Sequence, residues 1–153
     1  MRLYGWLLTF IVALAVLPTV PARGASLSPE LQKALESSKY VYIQSARKDS
    51  KLGKPAEIWF MYYKDAVWVA SPVTTYRVKR IQAGQTTAKI AVGKADGPSF
   101  SAKGALVKDP EANQAMFDAF AKKYGGGWSS YEKQFRDGLA DGSRALIKYE
   151  PAQ

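Results

Sequence analysis

The sequence predicts a mainly β (α+β) fold in which six antiparallel strands close into a small barrel with short flanking helices. Strand-like runs rich in Val, Ile, Trp, Tyr and Phe recur along the chain, separated by short polar or Gly- and Pro-containing turns. Two of these runs are separated only by the polar pair Lys64-Asp65, which indicates an antiparallel hairpin. Because Lys-Asp is a poorer turn pair than Asn-Gly, a loop that takes a further residue from either strand is the alternative. Closing the strands into a barrel would remove the exposed edges of an open sheet.

Residues 1–24 have the features of a secretory signal peptide. One positive charge near the start precedes an apolar run over residues 7–17, and the small residues Ala22 and Gly24 lie where a signal peptidase would cleave. The run is shorter than the roughly 20 residues that a membrane-spanning helix needs, although an uncleaved anchor is the alternative. We therefore expect an exported protein, periplasmic or secreted, with one domain over residues 25–153 and no membrane span after cleavage.

The composition excludes several kinds of chemistry. The chain has no cysteine and no histidine, which rules out disulfides, thiol catalysis, cysteine-metal sites and Ser-His-Asp triads. With 22 Lys and Arg against 13 Asp and Glu, the net charge is +9, which favours anionic partners such as phosphates, acidic membranes or nucleic acid. The cations are spread along the chain rather than gathered in one run, so we expect no nucleic-acid partner. Solvated surface is the simplest explanation for most of these charges.

The first predicted elements are a short helix, a strand and the hairpin. Ser28-Pro29-Glu30 combines an N-cap residue, a proline at the first helical position and an acidic first turn, so a helix should begin there and end near Ser37-Ser38. Tyr40 then opens the first strand. The hairpin follows, with strands over Ile58–Tyr63 and Ala66–Ser71.

Three more strands are predicted after the hairpin: Thr87–Val92, Ser99–Val107 and a last strand from Arg144 to Tyr149. Gly104 lies inside the second of these strands. A glycine within a strand suggests either a bulge or a close approach of another group to the backbone.

Two helices are predicted between the last two strands. Asp109-Pro110-Glu111 is a strong helix start, and Gly125 should end this helix. The three glycines that begin there suggest a flexible link to a second helix, with Ser129 and Glu132 spaced as a capping box. Trp128, beside the glycines, is either a packed core residue or a mobile aromatic that covers a ligand.

The segment after the hairpin is the strongest candidate for a functional site. Hydroxyl groups and cations follow the end of a buried strand, a combination that suits a phosphate group. Thr74 or Thr75 could cap a short helix on which Arg77 and Arg80 share one face, with free backbone N–H groups at its start. The alternative is a capped surface helix with solvated cations. The candidate residues are Ser71, Thr74, Thr75, Arg77, Lys79 and Arg80.

Several short motifs occur along the chain in a recognisable order. They are Gly53-Lys54-Pro55, Trp59-Phe60, Ser71, Arg77-x-x-Arg80-Ile81, Ala105–Glu111, Lys123-Tyr124 and Ile147–Pro151. This order resembles the pyridoxamine 5'-phosphate oxidase-like FMN-binding split barrels. It is most similar to the branch that includes flavin- and deazaflavin-dependent reductases, and the resemblance extends over most of the predicted domain.

The resemblance implies a split β-barrel flavoprotein that binds flavin mononucleotide (FMN) or a deazaflavin. In that family, residues at the positions of Ser71 and Arg77 contact the cofactor phosphate, and Arg80 matches a basic position that supports the same site. Trp59 and Phe60 would line the pocket beside the isoalloxazine ring. The resemblance also implies a homodimer with the cofactor between its subunits, and oxidoreductase activity on a small-molecule substrate. A cofactor-free binding or structural module that retains the barrel is the alternative.

Overall fold

The computed structural model describes residues 25–152, so the predicted signal peptide lies outside the described residues. The strands are β1 (Val41–Ser45), β2 (Ala56–Ile58), β3 (Met61–Tyr63), β4 (Ala66–Pro72), β5 (Thr87–Val92), β6 (Ser99–Val107) and β7 (Arg144–Pro151). The helices are α1 (Pro29–Ser37), α2 (Tyr76–Gln82), α3 (Pro110–Tyr124), α4 (Gly126–Ser129) and α5 (Glu132–Asp141). Within this part of the chain, no helix combines the length and the apolarity needed to cross a membrane.

The strands form one antiparallel sheet of seven strands, in the order β2-β1-β5-β6-β7-β4-β3. This confirms the predicted antiparallel α+β fold, although the prediction counted six strands. The additional strand arises because the first half of the hairpin divides. Ile58 ends β2, which pairs with β1, whereas Met61 begins β3, which pairs with β4.

This division explains why the sheet curls into a barrel. β2 and β3 are the two edges of the sheet, yet only Trp59 and Phe60 separate them in the chain. Three peptide units span at most about 11 Å, so the two edges must lie close together. The edges are therefore connected by the chain rather than by a ladder of hydrogen bonds. That arrangement is the split barrel that the sequence resemblance implies.

The predicted hairpin is β3–β4, and its turn consists of Lys64 and Asp65 without a further residue from either strand. Lys64 and Asp65 both have positive φ angles, 49° and 55°. Two consecutive residues in this conformation form the type I′ turn, whose twist matches that of the flanking strands. Lys64 also binds Glu111 at the start of α3, with Nζ 2.9 Å from Oε1, which ties the turn to that helix.

β4 is buried on both faces, which explains its unbroken run of apolar residues. Val67 and Val69 belong to the core inside the barrel. Trp68 and Ala70 alternate with them and belong to a second core, formed with α3 and α4. Besides Trp68 and Ala70, the second core contains Met61, Met116, Phe117, Phe120, Trp128 and Leu146.

Both helix starts that contain a proline are confirmed. Oγ of Ser28 accepts a hydrogen bond from the N–H of Leu31 at 3.3 Å, and the Asp109 carboxylate accepts one from the N–H of Ala112 at 2.9 Å. α3 ends where Gly125 takes a positive φ of 51°. Local capping chemistry was therefore sufficient to place these helix boundaries.

The segment after Gly125 differs from the prediction. Gly126 begins the short helix α4 and is not part of a flexible link. The Ser129 hydroxyl donates to the carbonyl of Gly126 at 2.8 Å, so it does not form a capping box with Glu132. Trp128 is 2% exposed and packs edge-on against Phe120, which confirms its interpretation as a packed core residue.

Gly104 provides room for a buried tyrosine. It pairs with Tyr149 of β7 in a continuous register, so the strand has no bulge at this point. A Cβ atom at Gly104 would lie 2.6 Å from Cε1 of Tyr149 and 3.0 Å from Cδ1 of Ile81. Of the two possibilities that the sequence left open, the close approach is correct.

Lys123, near the end of α3, is a partly buried cation. Its Nζ lies 3.5 Å from the centroid of the Phe60 ring and 3.4 Å from the carbonyl oxygen of the same residue. Burial lowers the pKa of Lys123 to about 8, from an ordinary value of 10.5. The folded protein therefore releases this proton at a lower pH than the unfolded chain does.

We expect Lys123 to make the protein more stable as the pH rises from about 8 to 10.5, because the unfolded chain binds more protons in that range. Lys123→Met removes this contribution. Urea denaturation of both proteins near neutral pH and near about pH 9.5 measures it. The wild type should gain stability relative to the variant at the higher pH. A difference in unfolding free energy that is the same at both pH values would contradict the burial of Lys123.

Candidate functional site

A cleft opens where the edge of β4 has no neighbouring strand. β3 pairs only with Ala66–Trp68, so residues 70–72 of β4 have no strand partner on that side among the described residues. We call this opening, with a volume of about 430 Å³, the front cleft. It is lined by Tyr40, Glu57, Ile58, Trp59, Ala70, Ser71, Pro72, Thr75, Arg77, Tyr131, Gln134, Phe135 and Arg144.

Ser71 and Arg77 form the polar centre of the front cleft. Nη1 of Arg77 donates a hydrogen bond to Oγ of Ser71 at 3.0 Å. Burial lowers the pKa of Arg77, and within residues 25–152 no carboxylate forms an ion pair with its guanidinium. A guanidinium remains charged in proteins, so its desolvation is not offset by an ion pair with any of the described residues. The arrangement favours an anion at this point.

α2 holds Arg77 in place from the barrel core. Val78 is fully buried among the core residues of the barrel and anchors the helix. Tyr149 is also buried, and burial raises its pKa. The positive charge of Arg77 lowers the pKa of Tyr149 and so opposes part of this rise. The same tyrosine packs over Gly104 of β6, and Ile81 of α2 lies against the same glycine, so the position of α2 depends on its packing against β6.

Trp59 forms an aromatic wall beside this polar centre. Its ring stacks on Tyr124, with centroids 4.3 Å apart and an angle of 8° between the planes. The rings of Tyr131 and Phe135 lie 5.7 Å and 6.5 Å from it. Tyr131 is 50% exposed at the mouth of the cleft. Aromatic surface next to a cationic centre suits a ligand that combines a planar ring with an anionic group.

Arg144 is a second cation of the front cleft that the sequence analysis missed. It opens β7 and pairs opposite Pro72 of β4. Nη1 of Arg144 donates to the carbonyl of Ala70 at 3.2 Å, and the guanidinium lies 4.0 Å from the Phe135 ring centroid. Burial lowers the pKa of Arg144 as well. No local sequence signal could have found it, because only the pairing of two distant strands brings it to the cleft.

The structure brings some of the predicted residues together at the front cleft. Ser71, Thr75, Arg77 and Trp59 line it. Thr75 occupies the N-cap position of α2, but its hydroxyl donates to the carbonyl of Pro72 at 2.8 Å and accepts no hydrogen bond from the helix. Thr75 therefore supports the turn before α2 and does not cap the helix as the sequence suggested.

Four other predicted residues lie elsewhere. Arg80 lines a second cleft, together with Arg47, Lys54, Tyr76 and Arg77. Thr74 and Lys79 are exposed and line neither cleft. Phe60 is 0% exposed and belongs to the barrel core, so its side chain does not face a ligand in the front cleft. Thr74, Lys79 and Phe60 therefore do not line the front cleft.

No protein-family model and no curated protein matches the sequence. The fold, in contrast, matches solved structures. A candidate pyridoxamine 5'-phosphate oxidase from Listeria innocua has a TM-score of 0.57 at 15% identity, with 81% of this chain and 92% of that chain covered. HutZ, the heme storage protein from Vibrio cholerae, has a TM-score of 0.57 at 14% identity, covering 84% and 92%. A FAD-binding protein from Mesorhizobium loti has a TM-score of 0.55 at 14% identity, covering 83% and 91%.

These similarities show that the chain has the split-barrel fold of the pyridoxamine 5'-phosphate oxidase-like proteins, as the sequence resemblance implied. At such identities the comparison concerns the fold. One fold can carry several functions, as the heme storage protein and the FAD-binding protein illustrate. The ligand of this chain has to be inferred from the residues of its own cleft.

Proposed function

We propose that this protein is an exported split barrel that binds a flavin-type cofactor, FMN or alternatively a deazaflavin, and acts as an oxidoreductase on a small-molecule substrate. The observation that carries the proposal is the half-buried Arg77 guanidinium, which is bonded to Ser71 beside the aromatic wall of Trp59. The flavin-binding relatives of the same fold support the class of cofactor. The leader-like residues 1–24 support export.

The phosphate of the cofactor fits the Ser71–Arg77 pair. One Nη1–H of Arg77 is used by Oγ of Ser71, and a guanidinium has five N–H donors, so others remain for phosphate oxygens. Ser71 can turn its own O–H toward the same anion while it accepts from Arg77. Arg144, which lines the same cleft, adds a second positive charge. The residues present therefore fit a phosphate group.

The ring system fits the aromatic side of the front cleft. Trp59, Tyr131 and Phe135 line it together, and the cleft volume of about 430 Å³ lies in the range typical of small-molecule sites. A bound flavin supplies the hydride chemistry itself. The residues of this chain bind the phosphate, orient the ring and exclude water from one side of it. For this reason the lack of His and Cys is compatible with the proposed activity.

The proposal includes a homodimer. Tyr131 at the mouth of the front cleft and Tyr76 at the second cleft are 50% and 76% exposed, which is high for aromatic residues at a ligand site. A second subunit placed over these openings would cover both side chains and enclose the cofactor.

Titration of the protein into FMN or a deazaflavin, with the cofactor fluorescence as the signal, tests the proposal. Stacking near Trp59 and its aromatic neighbours should quench the emission in a saturable manner. The protein should also be refolded with each cofactor, because an exported chain acquires its ligand after translocation. If neither cofactor is quenched or retained under either condition, the proposal is wrong and the cofactor-free module is the better account.

A further inference from the structure

A cavity lies between α3 and α5, at the end of the sheet where β6 leads into α3 and β7 begins. We call it the helix cavity, and its volume is about 550 Å³. More than half of its lining residues are apolar, and they come from all four of these elements. They include Leu106, Val107, Pro110, Leu139, Ala145 and Leu146.

The charged residues of the helix cavity balance each other. Lys108 and Arg144 line it together with Asp109 and Asp141, two cations and two carboxylates. Three of these four groups already bind the backbone of this chain. Both carboxylates accept a hydrogen bond from a backbone N–H, at 2.9 Å and 2.8 Å, and the Arg144 guanidinium donates to a backbone carbonyl at 3.2 Å. The cavity therefore suits a neutral ligand better than an ion.

Asn113 of α3 also lines the helix cavity, and its hydrogen bonding is incomplete. Its side-chain oxygen, Oδ1, is shielded from solvent and has no hydrogen-bond partner within residues 25–152. Buried polar atoms nearly always have a partner, because an unpaired atom loses its hydration without compensation. The χ2 torsion of asparagine is soft, so the amide can turn this oxygen toward the cavity. A ligand that donates a hydrogen bond there offsets the cost of burying the oxygen.

Arg144 is common to the helix cavity and the front cleft, and no other residue lines both. Its guanidinium lies against Phe135 of the front cleft. A Cβ atom at Gly138 would lie 2.9 Å from Cβ of Arg144, so this glycine allows α5 to pack directly on the arginine. The two openings share one residue and otherwise have different walls. The helix cavity is thus a second site and not an extension of the front cleft.

We propose that the helix cavity binds a second ligand, a small neutral molecule with an apolar body and one hydroxyl group, such as a phenol or a cyclic alcohol. The apolar body packs against Val107, Leu139 and Leu146. The hydroxyl group donates to Oδ1 of Asn113 and can accept from the amide nitrogen of the same side chain. This site does not depend on the flavin-type function proposed above.

An NMR titration of the protein with phenol and with toluene tests this inference, with the Ile, Leu and Val methyl groups labelled. The two probes have the same shape, and the hydroxyl group of phenol replaces the methyl group of toluene. We expect saturable shifts of the Val107, Leu139 and Leu146 methyl signals with phenol. Phenol should bind at least as tightly as toluene, although toluene is the more apolar molecule. The methyl signals of Ile58, which lines the front cleft, report binding at that site separately.

A matched pair of variants tests the role of the amide. In Asn113→Leu the affinity for phenol relative to toluene should fall about tenfold, because the hydroxyl group is then buried without a partner. Gln114→Leu makes the same change at the next position of α3, where the side chain is exposed and does not line the cavity. This control should keep the wild-type ratio of the two affinities.

Three results would overturn the inference. The first is a wild-type titration in which phenol leaves the methyl signals of the helix cavity unchanged. The second is a wild-type protein that binds toluene about tenfold more tightly than phenol, a comparison that needs no variant. The third is an equal change of the phenol-to-toluene ratio in the Asn113 and Gln114 variants, including no change in either.

Discussion

Replacing Arg77 with Met should lower the affinity for FMN by about 100-fold, because a guanidinium makes charge-assisted hydrogen bonds worth about 1.5–3 kcal/mol with a phosphate. Arg77 is the cation that both clefts share, and its charge has no carboxylate partner among residues 25–152. The fold should persist. Removing a desolvated charge favours the folded state, whereas the Ser71 hydroxyl loses its donor, and these effects on stability oppose each other.

Lys79→Met is the matched control for this variant. Lys79 lies two positions further along α2, carries the same charge, is exposed and lines neither cleft. Its replacement should leave the FMN dissociation constant within about twofold of the wild-type value, as expected for a solvated surface cation. Equal losses of affinity in the Arg77 and Lys79 variants would mean that net charge, and not the Ser71–Arg77 pair, governs binding.

Gly104→Val should destabilise the protein by about 3 kcal/mol, since overpacking a close-packed interior forces side chains or strands apart. Even the first added atom, Cβ, would lie 2.6 Å from the buried Tyr149 ring. The added Cβ would also lie 3.0 Å from Cδ1 of Ile81, so it would displace α2, the helix that carries Arg77. We therefore expect a lower FMN affinity in any fraction of this variant that remains folded. Urea denaturation measures the change in unfolding free energy.

Lys103→Val provides the comparison for Gly104→Val. Lys103 precedes Gly104 in β6, but its side chain is exposed on the opposite face of the strand. The same valine at this position should change stability by less than about 0.5 kcal/mol, as surface substitutions usually do. If Gly104→Val is no more destabilising than Lys103→Val, the result would contradict the inference that β6 packs closely against Tyr149 at this position.

Much of the fold could be predicted because local chemistry determines it. The cap residues Ser28 and Asp109, each followed by a proline, determine where α1 and α3 begin. Lys64-Asp65 forms the hairpin turn. The division at Trp59 and Phe60 could not be predicted from periodicity. Residues 58–63 are apolar throughout, so nothing local indicates where one strand ends and the next begins. Only the closure of the barrel, a tertiary effect, assigns the two halves to opposite edges of the sheet.

The site was predictable in part for a similar reason. Ser71 and Arg77 are close in the chain, and the helix that follows β4 brings them into contact. Nothing in the sequence indicated how far Arg77 is buried, and the fold places it half-buried between two clefts. Lys79 and Thr74 have the residue types of an anion site, yet they face solvent because a short helix can turn only one face toward the barrel. Arg144 depends entirely on the pairing of β7 with β4.

The comparison of FMN with riboflavin measures the central claim most directly, since the two ligands differ only in the phosphate. If an anion is bound by Arg77 and Ser71 at the mouth of the split barrel, FMN should bind about 100-fold more tightly than riboflavin, and this preference should disappear in Arg77→Met. Equal dissociation constants for the two ligands in the wild-type protein would contradict the claim.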